Sequence, residues 1–324
     1  MKAIIYSKYG PPEVAKLREI EKPVPQENEI LIKVYASTVN RTDSGFRSAQ
    51  YFVSRFFSGL FRPKHQILGC EYAGVVDELG KNVTLFQKGD RVFGYNDHTF
   101  GGHAEYLTAR EDKAITTIPE NLTFEEAAPL TEGAHYALSN IKAAKVRIGQ
   151  EVMVYGATGA IGTAAVQILK HFGAVVTAVC NTKNVELVET LGANKVIDYQ
   201  NEDFTLTEKR FDFIFDAVGK SSFGQCKPLL TNKGIYISSE LGKYSENIFL
   251  ALITPIFGGK KVMFPIPHMT KDIIEYLRKL AKKGKFHPVI DRIYPMEDIV
   301  EAYRYVESGQ KTGNVVLRIR DEDS

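Results

Sequence analysis

Cysteine is scarce in this chain, and its spacing excludes two kinds of site. The 324 residues include three cysteines, Cys70, Cys180 and Cys226, which lie far apart in the sequence. Cysteines so placed form neither a disulfide framework nor a CxxC zinc cluster. This usage favours a reducing compartment, and we expect a cytoplasmic protein.

An excess of one charge and a long apolar run are also missing. The net charge is +2, and the 41 basic residues are scattered among 39 acidic ones. Such a balance gives no electrostatic case for a nucleic acid partner. No apolar run approaches the roughly 18 residues of a membrane span, and Met1–Tyr6 predicts a strand rather than a signal peptide. We expect neither a nucleic acid partner nor a stable membrane span.

A glycine-rich turn is the most informative feature that is present. A short apolar strand, Glu151–Tyr155, leads into Gly156-Ala157-Thr158-Gly159-Ala160-Ile161-Gly162 and then into a helix-forming run. In a strand–turn–helix unit, such glycines let backbone N–H groups approach a pyrophosphate at the positive end of the helix dipole. The candidate cofactor-binding residues here are Gly156, Thr158, Gly159, Ala160, Ile161 and Gly162. The alternative is an ordinary tight turn.

The end of the next strand indicates which dinucleotide binds. When the ribose 2′-OH is bound, an Asp or Glu is expected about 20 residues beyond the glycines. After the strand 174–179, this chain has Cys180-Asn181-Thr182-Lys183 instead. Without an acid to repel a 2′-phosphate, and with Asn181, Thr182 and Lys183 as donors, the sequence favours NADPH over NADH. Alternatively, Lys183 only decorates the start of a helix.

The pattern of elements changes near residue 124. Before it, β-branched runs at 30–35, 73–78 and 91–93 are separated by turns. After it, helices are predicted at 124–144, 160–172 and 184–191, alternating with strands at 151–155, 174–179, 195–198, 211–215 and 234–239. Such alternation is typical of an α/β fold with a parallel sheet covered on both faces. The tail returns to short strands, with a helix at 296–308 and a strand at 314–319, so it is expected to rejoin the first domain.

The order of motifs resembles the medium-chain dehydrogenase/reductase superfamily. A β-rich start precedes Gly89-Asp90-Arg91-Val92-Phe93-Gly94, the dinucleotide motif follows, and Gly313-Asn314-Val315-Val316-Leu317 ends the series. The set is most similar to the zinc-free quinone oxidoreductase (zeta-crystallin-like) branch. The resemblance implies a GroES-like β-barrel domain (1–122 and 286–324), a Rossmann doubly wound parallel sheet domain (123–285), and a cofactor in the cleft between them.

Zinc ligands of the related alcohol dehydrogenases are replaced in this chain. Their Cys-Arg-Thr-Asp and Gly-His-Glu motifs correspond here to Asn40-Arg41-Thr42-Asp43 and Gly69-Cys70-Glu71. Thr131 and Glu132 lie near the third ligand position. An amide is a poor zinc ligand, because Zn²⁺ sites need closely fitted nitrogen and sulfur donors. We expect no metal, although Cys70 with Glu71 or Glu132 offers a possible ligand set.

Losing the metal changes the chemistry that is expected. Zinc stabilises an alkoxide as a Lewis acid, whereas hydride addition to a conjugated carbonyl leaves an enolate that neutral hydrogen-bond donors stabilise. The predicted function is NADPH-dependent, metal-free reduction of a quinone or an α,β-unsaturated carbonyl. The alternatives are a zinc-dependent alcohol dehydrogenase and a non-catalytic, NADPH-binding or membrane-associated protein.

Three side chains are predicted to act on substrate or cofactor in the first domain. The Asn40 amide is expected to donate to the substrate oxygen or to the nicotinamide ribose, unless it caps the following helix. Thr42 matches the proton-relaying hydroxyl of the zinc enzymes, or else it is an N-cap. The Arg41 guanidinium suits the cofactor pyrophosphate.

Further cofactor contacts are implied by the resemblance. Lys183 and Tyr199 correspond to positions that grip a 2′-phosphate in related reductases. Ala217, Val218 and Gly219 are expected to border the ribose, and Ser238 and Ser239 to lie near the nicotinamide. Asn314 matches a position near the cofactor on the last strand, with Lys311 as a weaker candidate.

An aromatic segment and an edge strand complete the predictions. Residues 47–64 contain an apolar stripe at positions 52, 56 and 60 among basic residues, which predicts a helix packed on the barrel, a lid over a flat substrate, or a membrane contact. In the lid interpretation, Tyr51 is a candidate proton donor or substrate contact. Relatives pair through an edge strand of the Rossmann sheet, and Lys261-Val262-Met263-Phe264 is the candidate here, so we expect a homodimer.

Overall fold

The computed structural model describes residues 1–49 and 55–321, and within them the chain forms two compact units. The first unit comprises the described residues up to Glu132, Met269–Gly284 and those from Pro288 onward. The second comprises Gly133–His268 and Lys285–His287. These units depart from the expected division at residues 122 and 286, because 123–132 and 269–284 belong to the first unit.

Strands and helices alternate along most of the described chain. In chain order the strands are β1 (Lys2–Ile5), β2 (Lys16–Glu19), β3 (Glu29–Val39), β4 (Glu71–Leu79), β5 (Arg91–Tyr95), β6 (Tyr106–Arg110), β7 (Ile115–Thr117), β8 (Glu151–Tyr155), β9 (Val175–Cys180), β10 (Lys195–Asp198), β11 (Phe211–Asp216), β12 (Leu230–Ser238), β13 (Lys261–Met263), β14 (Ile290–Pro295) and β15 (Asn314–Arg318). The α-helices are α1 (Arg41–Ser48), α2 (Arg55–Ser58), α3 (Phe124–Ala127), α4 (Glu132–Ala143), α5 (Ala160–His171), α6 (Val185–Leu191), α7 (Phe223–Cys226), α8 (Glu246–Ile253), α9 (Lys271–Lys282) and α10 (Ile299–Glu307).

A six-stranded parallel sheet forms the centre of the second unit. Its strand order is β10-β9-β8-β11-β12-β13, and every pairing is parallel. This is the 3-2-1-4-5-6 order of a doubly wound dinucleotide fold. One apolar cluster of the unit, which includes Met153, Phe211 and Ile214, is fully buried at β8 and β11. The predicted α/β fold is confirmed.

The first unit is built on a seven-stranded sheet. Its order is β14-β15-β3-β4-β5-β7, and β6 also pairs with β3. All pairings are antiparallel except that of β14 with β15. The tail strand β15 pairs with β3, as the sequence pattern indicates for a returning chain. Helix α3 packs on β3 and β4, and α9 packs on β7, which explains why both helices belong to this unit.

The helix predicted over 124–144 is wrong as a single element. It is α3, then a 3-10 turn at Ala128–Leu130, then α4. Pro129 lies in that turn with non-helical angles, φ −81° and ψ 16°. Proline has no N–H for a helical hydrogen bond, so the chain breaks there.

Among the described residues, no helix is long and apolar enough to cross a membrane.

Candidate active site

The glycine turn of the second unit leaves room where an anion would bind. Gly156 has φ +75°, and a Cβ on Gly162 would lie 2.1 Å from the Gly156 carbonyl oxygen. Gly159 is the N-cap of α5 and supplies no side-chain cap, and a Cβ added at Gly159 would meet no atom within 4 Å. The first N–H groups of α5 therefore receive no hydrogen bond from a capping side chain and suit a phosphate. The turn fits a dinucleotide.

Other predicted cofactor residues lie at the same edge of this sheet. Asn181 follows β9, Ala217–Gly219 follows β11, and Ser238 and Ser239 lie at the end of β12. Carboxyl ends of parallel strands meet at one sheet edge, where ligands of such folds bind. The fold thus brings these residues to the edge that carries the glycine turn.

A buried carboxylate shapes the loop after β11. Asp216 accepts hydrogen bonds from the backbone N–H groups of Val218 (3.1 Å), Gly219 (2.8 Å) and Ser221 (2.8 Å). Gly219 has φ +65°, a conformation that favours glycine. Asp216 therefore fixes the loop predicted to border the ribose, a role that the sequence interpretation did not include.

The end of β10, beside the end of β9, carries an acid that sequence reasoning missed. The Thr182 hydroxyl donates to Asp198 Oδ2 at 2.6 Å, and Asp198 also accepts from the Gln200 N–H at 3.0 Å. The hydrogen bond from Thr182 is the main cause that lowers the pKa of Asp198, so the group is ionised at neutral pH. Lys183 directly follows Thr182, Tyr199 directly follows Asp198, and both side chains are exposed. The end of β9 lacks an acid, as the sequence argument states, but the end of the neighbouring β10 carries one.

In the first unit, Asn40 caps α1. Its Oδ1 accepts from the Asp43 N–H at 2.9 Å, and the Asp43 carboxylate accepts from the Asn40 N–H at 3.3 Å. The Asn40 amide nitrogen donates to Cys70 Sγ at 3.0 Å. The capping alternative for Asn40 is therefore the contact that the structure shows, and its role toward substrate stays a prediction.

Thr42 is the second residue of α1, so it is not the N-cap. Its hydroxyl donates to Oε1 of Glu132, and Glu132 is the first residue of α4. Burial, followed by the charge of Glu71, raises the pKa of Glu132 well above its usual value. Thr42, the predicted proton-relay residue, is thus hydrogen-bonded to the buried carboxyl group of Glu132.

Glu71 is at the centre of one hydrogen-bonded cluster, which also contains Thr38, Thr42, Thr131 and Glu132. Its carboxylate accepts from the hydroxyls of Thr38 and Thr131, each at 2.7 Å, and from the Glu132 N–H at 2.6 Å. Burial raises the pKa of Glu71, while these hydrogen bonds lower it. An acid directly before the apolar run at residues 72–76 is the sequence signal that points to such a cluster, because isolated buried carboxylates are costly.

Two cations flank the cluster. Lys311 Nζ donates to the Gly313 carbonyl at 2.6 Å. Burial lowers the pKa of Lys311, whereas the carboxyl groups of Glu132 and Glu71 raise it and the Arg41 charge lowers it. Arg41 itself is exposed.

The predicted residue Asn314 is buried, and its amide nitrogen donates to the Val289 carbonyl at 3.0 Å.

Cys70 is a buried thiol rather than a thiolate. Burial raises the pKa of Cys70 well above its usual value, and the nearby Asp43, Glu132 and Glu71 raise it further. Within residues 1–49 and 55–321, no group of three or more His, Cys, Asp or Glu side chains is arranged to hold a metal ion.

The aromatic segment is described in part. Tyr51 lies outside the described residues. Phe56, Leu60 and Phe61 are 65%, 44% and 91% exposed. In the described part, the predicted stripe is therefore not buried against the sheet, and its role as a lid stays a prediction.

Known proteins resemble the chain over its whole length. Residues 26–120 match the alcohol dehydrogenase GroES-like domain, and residues 191–317 match the zinc-binding dehydrogenase family. The chain is 32% identical to 2-methylene-furan-3-one reductase of Solanum lycopersicum, over 98% of the chain and 79% of that protein. It is 30% identical to the chloroplastic NADPH-dependent alkenal/one oxidoreductase of Arabidopsis thaliana, with the same two coverages.

A solved structure agrees with these sequences. The quinone oxidoreductase from Coxiella burnetii superposes with a TM-score of 0.88 at 29% identity, covering 99% of each chain. The chain belongs to the quinone oxidoreductase branch of the medium-chain dehydrogenase/reductase superfamily. It is therefore an oxidoreductase of an NAD(P)-dependent family. This result confirms the predicted family and the predicted pair of folds, a GroES-like domain and a Rossmann-like sheet.

Proposed function

We propose that this oxidoreductase uses NADPH to reduce a quinone or an α,β-unsaturated carbonyl without a metal. The first unit supplies the substrate-facing groups, and the second unit binds the dinucleotide. The observation that carries the proposal is the hydrogen bond from the Asn40 amide to Cys70 Sγ. The corresponding positions hold zinc in the related alcohol dehydrogenases, but here they carry an amide and a protonated thiol. An amide is a poor zinc ligand, and Cys70 is a single sulfur where a Zn²⁺ site needs several closely fitted nitrogen and sulfur donors.

Conjugate reduction suits such a site. When bound, NADPH supplies a hydride. The remaining requirements are donors for the oxygen on which negative charge develops and a proton for the α-carbon. Thr42 offers a half-buried hydroxyl at the start of α1, and Asn40 and Arg41 precede it. We assign Thr42 to the proton and Arg41 to the pyrophosphate.

The preference for NADPH rests on the edge of the parallel sheet. The glycine turn and the uncapped start of α5 suit the pyrophosphate. Lys183 and Tyr199 are exposed beyond β9 and β10, where a 2′-phosphate would be accessible to them. Asp198 opposes this preference, because its charge lies 2.6 Å from the Thr182 hydroxyl. The proposal requires that Lys183 outweighs Asp198.

A homodimer through the second unit is part of the proposal. β13 is an edge strand of the parallel sheet, and the neighbouring α8 and the turn after it expose Phe249, Leu252, Ile256 and Phe257 by 61%, 69%, 78% and 80%. An unpaired strand edge beside exposed apolar side chains favours association. The cytoplasmic location expected from cysteine usage stays a prediction.

A panel assay tests the activity. Purified protein, treated with a chelator and shown to contain no stoichiometric metal, is incubated with NADPH and a set of quinones, enals and enones. We expect NADPH oxidation with at least one of them and no gain on adding Zn²⁺. Activity that appears only with Zn²⁺, together with oxidation of simple alcohols, would replace the proposal with the zinc-dependent alternative. An absence of turnover with every compound would overturn it.

A further inference from the structure

Helix α2 and the turn after it expose three apolar side chains. Phe56 is 65% exposed, Leu60 44% and Phe61 91%. All three lie within one run of six residues, whereas Phe and Leu side chains are more often buried in folded proteins. Apolar surface that is concentrated in this way and left in water marks a site of interaction with a partner.

Hydrogen bonds fix the conformation of this turn. The Tyr9 hydroxyl donates to the Gly59 carbonyl at 2.6 Å, and its oxygen lies 2.7 Å from the Ser58 hydroxyl oxygen. The Lys64 N–H donates to the Ser58 carbonyl at 2.8 Å. Gly59 has φ +121°, and a Cβ there would lie 2.1 Å from the Arg62 carbonyl oxygen, so the turn needs glycine. The exposed side chains are therefore carried by a backbone that the first unit holds in place.

The sequence around the turn is basic. Residues 44–70 contain neither Asp nor Glu, although about one residue in eight of the whole chain is acidic. Arg62 and Lys64 are exposed on the turn, and Lys8 is exposed next to the tyrosine that holds it. In the part of the chain that the structure describes, none of these three side chains forms an ion pair with an acid. Their charge is available to an anionic partner.

Exposed apolar side chains beside available cations match the surface of an anionic lipid bilayer. Phe and Leu side chains enter the boundary between headgroups and acyl chains, while Arg and Lys side chains stay with the lipid phosphates. A second copy of this chain fits poorly, because a symmetric contact would bring the same positive charges together. A single-stranded nucleic acid would stack its bases on the aromatic rings but would offer no apolar contact to Leu60.

We propose that the basic turn at residues 56–64 docks the protein on an anionic lipid bilayer. Its three exposed apolar side chains insert at the level of the headgroups, and its exposed cations bind lipid phosphates. The contact lies on the surface of the first unit and does not span the bilayer. It is reversible, because few side chains take part and salt screens their charges. The inference does not depend on the proposed reaction.

Vesicle flotation of the purified chain, without cofactor or substrate, is the primary test. We expect the protein to float with vesicles of phosphatidylcholine and phosphatidylserine, to remain behind with phosphatidylcholine alone, and to bind less as salt is raised. Phe56→Ser combined with Phe61→Ser should lower the bound fraction about tenfold or more, because the inserted apolar area is lost. Arg62→Glu combined with Lys64→Glu should have an effect of the same size, because the lipid phosphates then face like charges. A wild-type protein that floats with neither kind of vesicle would overturn the inference.

Matched controls are available elsewhere in the same unit. Val24→Ser combined with Leu85→Ser replaces two other apolar side chains of similar exposure, 81% and 58%. Lys88→Glu combined with Lys113→Glu reverses two other exposed cations. We expect both control variants to float like the wild type. Equal losses in the control and test variants would show unspecific adsorption of the whole protein and would also overturn the inference.

Tryptophan fluorescence gives an independent readout, since the chain contains no tryptophan. Phe61→Trp adds a single indole to the turn, and its emission should shift to shorter wavelength with anionic vesicles and be quenched by brominated lipid. Val24→Trp is the control and should show neither change. An indole on the turn that stays in water when vesicles are present contradicts the proposal. So does tighter binding to a single-stranded oligonucleotide than to vesicles, if the variants of the basic turn abolish it.

Discussion

In the proposed NADPH site, Asp198 and Lys183 would act in opposite directions on a 2′-phosphate at the edge of the parallel sheet. The Asp198 carboxylate accepts from the Thr182 hydroxyl at 2.6 Å and from Asn201 Nδ2 at 2.6 Å. It would repel a 2′-phosphate, and it already accepts a hydrogen bond from the Thr182 hydroxyl, which was expected to donate to that phosphate. Charges near a protein surface interact by about 1–2 kcal/mol at separations of several ångströms. The cofactor preference therefore depends on the balance of single side chains.

Exchanging these charges should move the preference in opposite directions. Lys183→Glu should lower the affinity for NADPH relative to NADH about tenfold, and Asp198→Asn should raise it by a similar factor. Dissociation constants for both cofactors, measured by fluorescence titration, check both effects.

Lys195→Glu is the matched control for this pair. Lys195 is exposed at the opposite end of β10, so the same charge change there should leave the ratio unaltered. Wild-type protein that binds NADH more tightly than NADPH would contradict the cofactor assignment.

Single residues were the least predictable part of the site. The glycines and the absent zinc ligands are visible in the sequence, because each has a fixed spacing within one motif. The contacts of Thr42 with Glu132 and of Thr182 with Asp198 join residues 90 and 16 positions apart. Such contacts depend on how strands and helices pack, which local spacing does not specify.

At the scale of elements, the turn between β8 and α5 depends on close packing around Gly162. The Gly156 carbonyl oxygen occupies the space that a side chain at 162 would need, at 2.1 Å from an added Cβ. A Cβ at position 162 would therefore force either the glycine turn or the start of helix α5 to move. The position of the first N–H groups of α5, where we propose that the pyrophosphate binds, follows from this contact.

Gly162→Ala should therefore weaken NADPH binding at least tenfold, about 1.4 kcal/mol, because the turn must shift. Isothermal titration calorimetry measures the effect. Gly224→Ala in α7 is the control, since the atom nearest to an added Cβ there is 3.8 Å away. Equal affinities for the Gly162→Ala and Gly224→Ala variants would show that the turn does not set the phosphate position.

The regular elements were largely predictable, and their interruptions were not. Strand β10 and helix α6 lie within one residue of their predicted bounds, because hydrophobic periodicity over a whole element is a strong signal. The break at Pro129 was missed, since apolar residues continue across it. The sequence analysis also did not assign α9, although a helix with one apolar face is a strong pattern, and the structure places it on β7.

At the scale of the whole molecule, association would extend the parallel sheet of the second unit. β13 has one neighbour, β12, in the described sheet, which leaves its other edge for a second copy. Four exposed apolar residues lie on α8 and on the turn after it, just before this strand: Phe249, Leu252, Ile256 and Phe257. Solvent exposure of such side chains is unfavourable, so their burial would stabilise a dimer.

Adding charge among these four residues should dissociate the dimer. Leu252→Asp combined with Phe257→Asp should shift the sedimentation coefficient from dimer to monomer without loss of secondary structure. Leu206→Asp is the control, because Leu206 is also 80% exposed in the second unit but lies in the turn between β10 and β11. A wild-type protein that sediments as a monomer at all concentrations would contradict the dimer.

Deuteride transfer to an enone tests the central claim of metal-free conjugate reduction most directly. Protein shown by elemental analysis to lack zinc is incubated with an enone and NADPH carrying deuterium at the transferable position of the nicotinamide, and the product is examined by NMR. We predict one deuterium at the β-carbon of a saturated ketone and an α-hydrogen from water. Deuterium at the carbonyl carbon of an allylic alcohol, or turnover that requires added zinc, would contradict the account.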